Sequence, residues 1–110
     1  MFSLWCNKNI KDMRFCIKIH KIKNLKILAI CDEEVLEKEF EFENTKIKIS
    51  KSFYFESCAN EKEIEEIIKN VNIINAFGKN CVNFLISKDI VNEKNVLKVG
   101  DQKHAIVEIL

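Results

Sequence analysis

Proline is absent from this chain, and glycine occurs only at Gly78 and Gly100. Few turns can therefore require a positive φ, and connections should be short. The same scarcity excludes phosphate-cradling loops: neither a P-loop nor a G-x-G-x-x-G is present. H-E-x-x-H and G-x-S-x-G are also missing, which removes the familiar metalloprotease and serine-hydrolase signatures. Histidine occurs twice, at His20 and His104, and no C-x-x-C joins them into a zinc-ligand pattern. No apolar run approaches membrane-spanning length, and the first six residues are too short for a signal-peptide core. These absences lead to an expectation of a cytoplasmic protein with no cofactor and no metal.

What is present is a 110-residue chain, 47% apolar and 32% charged. That length suits one domain with a real core. Residues 1–12 read as an N-terminal extension and residues 13–110 as a single domain. The five cysteines are widely spaced and read as reduced, mostly buried thiols. The net charge of +1 conceals an uneven distribution. Residues 1–31 hold seven basic side chains against Asp12 alone, whereas residues 32–66 hold twelve acids against five lysines. A basic first third can meet phosphate; an acidic middle repels it.

Hydrophobic spacing predicts the elements. Phe15, Ile17 and Ile19 alternate with Cys16, Lys18 and His20, a strand with one buried face. Lys23-Asn24 turns the chain, and residues 25–31 return as a second strand, apolar on both sides. Asp32-Glu33-Glu34 reads as the cap and acidic first turn of a short helix. Residues 39–43 and 46–49, joined by a turn at Asn44-Thr45, then form a hairpin with a glutamate row facing a lysine row. The second strand of this hairpin is expected to run on to Phe53-Tyr54-Phe55, with Tyr54 turned away from the core.

Asn60 and Glu63 form a capping box ahead of Ile64, Ile67, Ile68 and Val71 at helical spacing. A second helix starts at Gly78 or Lys79, carrying Val82, Leu85 and Ile86 inward. The apolar stretch 71–86 is expected to be the seam between these helices, bent by Asn75 and Gly78. Residues 96–99 and 104–110 close the chain as strands. The expected fold is α+β: a small antiparallel or mixed sheet, two main helices on one of its faces, in the order β-β-(short α)-β-β-α-α-β-β.

Four segments carry a family likeness. They are Cys31-Asp32-Glu33-Glu34-Val35-Leu36-Glu37-Lys38-Glu39-Phe40, Ile49-Ser50-Lys51-Ser52-Phe53-Tyr54, Asn72-Ile73-Ile74-Asn75-Ala76-Phe77-Gly78, and Asn95-Val96-Leu97-Lys98-Val99-Gly100 with His104-Ala105-Ile106-Val107. In this order the chain resembles the archaeal domain-of-unknown-function family numbered 424, from about residue 13 to the end. The resemblance implies small, single-domain archaeal proteins and no particular activity. It also implies glycine where this chain has Glu37, Glu56 and Asp101.

The candidate site residues each have a competing structural reading. Asn75 and Gly78 offer a polar contact at the helix seam, or simply shape a bend. Cys31 beside a helix start offers a nucleophile, or a buried strand-end thiol. His104 offers a general base or a phosphate contact, or a solvated histidine. Tyr54 offers a stacking surface for a base, or ordinary packing. Lys18, His20 and Lys26 on one face of the first hairpin, with Lys21 and Lys23 at its turn, offer a phosphate-binding patch, or a solvated face. The reading these residues favour is a non-enzymatic binding protein for RNA or a ribonucleoprotein such as the ribosome. Its rivals are a small enzyme using Cys31 or His104 near Asn75, and a homodimer paired through an exposed edge strand at 104–110.

Overall fold

A computed structural model describes residues 13–109; the expected extension at 1–12 lies outside the described residues. The first hairpin forms as its alternation requires. Strand β1 (Arg14–Ile22) pairs antiparallel with β2 (Leu25–Cys31), and Lys23 takes the positive φ of the turn at 56°. A 3-10 turn at Glu33–Val35 follows. Strands β3 (Glu39–Phe42) and β4 (Thr45–Lys48) make a separate two-stranded sheet. Its register sets Glu39 opposite Lys48 and Glu41 opposite Lys46, the expected charge pairing. Glu37, at a position where the resemblance implies glycine, carries a φ of 68°. Its carboxylate accepts from the Lys51 N–H at 2.8 Å, which helps hold that backbone in place.

Residues 51–54 are helical rather than extended. Helix α1 (Lys51–Tyr54) is one turn, and it buries Tyr54 while Phe53 and Phe55 stay half-buried, the reverse of the expected alternation. Two further strands lie outside the predicted order: β5 (Ser57–Asn60) and β6 (Ile73–Phe77). The capping box of helix α2 (Glu61–Ile68) is complete, with both Asn60–Glu63 hydrogen bonds at 2.9 Å. Helix α3 (Lys79–Ser87) follows Gly78, and β7 (Leu97–Val99) and β8 (Gln102–Glu108) end the described chain.

The main sheet runs β5-β1-β2-β6-β8-β7. The segment expected to be a helix–helix seam is thus a central strand, parallel to β2 and antiparallel to β8. Helices α2 and α3 cover one face. There Phe15, Leu28, Ile30 and Ile74 meet Ile64, Val82 and Leu85, all at most 1% exposed. Each such side chain contributes roughly 2 kcal/mol through burial. The opposite face is covered only in part, by the 33–35 turn, the β3–β4 hairpin and α1, over Cys16, Cys31 and Phe77. The α+β class with both main helices on one face stands. No helix among the described residues is long and apolar enough to cross a membrane.

Candidate functional site

Strand pairing orders the partly open face into rows. One row runs Cys16, Cys31, Phe77, His104 and Leu97; the next runs Lys18, Ala29, Asn75 and Ile106; the third runs His20, Ile27, Ile73 and Glu108. Helix α1 lies across β1 and β2. Lys18 Nζ donates to the Ser52 carbonyl at 2.8 Å, and the His20 ring stacks on Phe53 at 4.6 Å between centroids. His20 Nε2 sits 2.8 Å from the Phe53 carbonyl, so that nitrogen carries the ring proton.

Asn75 is the centre of this face. The Tyr54 hydroxyl donates to its Oδ1 at 2.9 Å, and His104 Nε2 approaches the same oxygen at 3.0 Å. Two donors on one oxygen orient the amide. The Asn75 NH2 group then makes no hydrogen bond among the described residues. Beside it lie half-buried Ile27 and Ile73 and exposed Ile106, an apolar floor around one oriented polar group. Three residues flagged separately in the sequence, Tyr54, Asn75 and His104, therefore meet. Asn75 does not shape the helix entry; Gly78 does so alone, as the residue before α3.

Burial pushes the Tyr54 hydroxyl above its usual range, so it stays a proton donor. Burial also lowers the His104 pKa. His104 is thus held neutral, with the proton on Nε2. In the unfolded chain histidine titrates near 6.5. As pH falls through that value the unfolded state takes up the proton first, so stability is lost on acidification and is unaffected above it. His104→Gln should lose less stability than the wild type between pH 8 and pH 5.5, read as urea midpoints at the two values.

The enzyme rival loses its nucleophile. Cys31 is fully buried, and its hydrogen bond with Cys16, then burial, push its thiol far up. Phe77 stands between Cys31 and His104 in their row, which separates the two by about 10 Å at the backbone. Cys81 is a buried thiol donating to the Phe77 carbonyl at 3.2 Å. Cys16, Cys31 and Cys81 are thiols, whereas Cys58 is disulfide-bonded, a departure from the expectation that all five are reduced. No group of three metal-ligating side chains is found among the described residues.

The lysines do not form the single face expected of them. The register places Lys18 and His20 on the α1 side of the sheet, and pairs Lys26 with Lys21 on the helix side. Strand alternation decides this: Lys26 faces the residue one position on from His20. Lys21, Lys23 and Lys26 are all exposed near the hairpin tip. The proposed edge at 104–110 is also not a simple edge, because β7 pairs with β8 over Gln102–His104.

Sequence reasoning missed Asp32 as a connecting residue. Only 3% exposed, it does not cap its own turn. Its two carboxylate oxygens accept from the Asn80 and Cys81 backbone N–H groups at 2.9 and 2.8 Å, capping α3 from across the sheet. Its partners lie 48 and 49 residues away in sequence, beyond any local pattern.

Residues 20–110 match the family described as "Protein of unknown function (DUF424)". Among solved structures, the fold is similar to that of an uncharacterized conserved protein from Methanopyrus kandleri. The TM-score is 0.75 at 24% identity, covering 88% of this chain and 92% of that one. No curated protein matches the sequence. The chain belongs to the DUF424 family.

Proposed function

We propose that this member of the DUF424 family is a non-enzymatic binding protein that holds single-stranded RNA on the open face of its sheet, alone or within a ribonucleoprotein. The observation that carries the reading is the doubly anchored Asn75 amide above an apolar floor. Its free NH2 suits a carbonyl or ring-nitrogen acceptor on a base edge. On the same face, the half-buried His20 ring, stacked on Phe53, offers an aromatic platform for a base. Lys18 stands on this face, and Lys21, Lys23 and Lys26 supply charge for phosphates at the hairpin tip.

The test is binding to fragmented cellular RNA across a salt series. Asn75→Ala should weaken binding about tenfold, the value of one lost hydrogen bond in a desolvated site. Replacing Lys21, Lys23 and Lys26 together with glutamine should lower the logarithmic salt slope by about two, at roughly 0.7 per phosphate contact on a single strand. Affinity and slope unchanged in both variants would end the RNA reading.

A further inference from the structure

We propose that the outer edge of β8 accepts an extended, basic peptide segment as an added strand. Strand β8 is longer than its outer neighbour. It pairs with β6 from His104 to Glu108, but with β7 only from Gln102 to His104. The direction of each backbone group follows from two hydrogen bonds: Gly78 N–H to the Lys103 carbonyl, and Ile109 N–H to the Asn72 carbonyl. Odd-numbered residues of β8 thus bond toward β6, and even-numbered residues point outward. His104 spends its outward groups on Leu97. Ile106 and Glu108 have no strand partner on that side among the described residues. Such a row of unpaired N–H and C=O groups is a template for another strand.

The chain before β7 makes room for it. Asn92 accepts from the Lys94 N–H at 2.9 Å and starts the 3-10 turn Glu93–Asn95, so the chain coils there instead of pairing with Ile106 and Glu108. A groove of about 660 Å³ opens between this turn and the strand, with Ile86, Ile90 and Val91 along its wall. Its charged lining is all of one sign: Asp89, Glu93 and Glu108. Nearby Lys88 is drawn off to Glu65 at 3.3 Å.

Charge chooses the occupant. A second copy pairing here through its own β8 would bring the same carboxylates against these, so the acidic rim disfavours the homodimer that stood as a rival reading of the sequence. An extended segment alternating lysine or arginine with β-branched residues satisfies the backbone edge, the apolar wall and the acids together. This edge is distinct from the Asn75 face, although Ile106 and Glu108 border both, and the inference does not depend on RNA binding.

The probe is an acetylated, amidated peptide alternating lysine and valine, added to isotope-labelled protein and followed by amide hydrogen exchange. Exchange at Ile106 and Glu108 should slow at least about tenfold at saturation, while Ala105 and Val107, already bonded to β6, stay unchanged. A glutamate–valine peptide should give no protection. Ile106→Pro removes one outward N–H and should abolish protection; Glu93→Lys with Glu108→Lys, which leaves the backbone intact, should weaken binding about tenfold. Absence of binding, equal protection by the acidic peptide, or protection located elsewhere would overturn the proposal. So would concentration-dependent protection of Ile106 and Glu108 without peptide, which would make a second copy the occupant.

Discussion

Gly78→Ala should be the most damaging single-methyl change in the protein, costing about 3–5 kcal/mol of stability. Two independent penalties combine. Gly78 holds φ 120° and ψ 139°, a region that residues with a Cβ rarely adopt. A Cβ there would also stand 2.6 Å from Asp32 Cγ and 2.7 Å from its Oδ2. Asp32 cannot step aside without releasing α3. Gly100→Ala is the control. Gly100 also has a positive φ, 62°, but nothing lies within 4 Å of the added Cβ, so its cost should be only about 1 kcal/mol. Urea denaturation of the two variants separates contact from conformation.

Asp32→Ala should cost about 3–4 kcal/mol, because it leaves one buried and one half-buried N–H donor at the start of α3 without their acceptor and removes a favourable charge from the helix N-terminus. Gly78 has no side chain to cap α3 itself. Asp32→Asn keeps one carbonyl oxygen and turns an NH2 toward the other donor, so it should fall between the alanine variant and wild type. The two sites are coupled. In the Asp32→Ala background the carboxylate that a methyl group at position 78 would strike is gone. The double variant should therefore lose less than the sum of the singles, with a coupling of about 1–2 kcal/mol. Strict additivity would mean that the close approach of Gly78 to Asp32 does not govern the cost.

This Asp32–Gly78 contact shows where local sequence ceases to inform. Asp32 followed by two glutamates has the composition of a helix start, and a short 3-10 turn does follow. Its side chain nonetheless serves a different helix, which no spacing within a few residues reveals. Elements with one wet face were legible. Strand β1, the Glu–Lys hairpin and α2 with its Asn60–Glu63 cap show the period of their structure because solvent imposes polarity on alternate positions or one stripe. Strand β6 was not legible. It lies between β2 and β8, covered by helices on one face and by α1 and the hairpin on part of the other. Its Ile-Ile-Asn-Ala-Phe run has no alternation to separate strand from helix seam. Strand β5 is four residues of mostly polar character, and α1 hides a helical turn inside an aromatic alternation that imitates a strand. The site followed the same rule. Tyr54, Asn75 and His104 each stood out as residue types, but they lie 21 and 29 positions apart, and only the β2–β6–β8 register brings them together.

The open face around Asn75 is most directly tested by following its side-chain amide in isotope-labelled protein as single-stranded RNA fragments are added at low salt. The Asn75 NH2 resonances should shift in step with the rings of His104 and His20, and with the backbone of Ile73 and Ile106. Shifts confined to the hairpin tip at 21–26, with the Asn75 amide unmoved, would contradict the account and reduce any binding to the attraction of exposed lysines for phosphate.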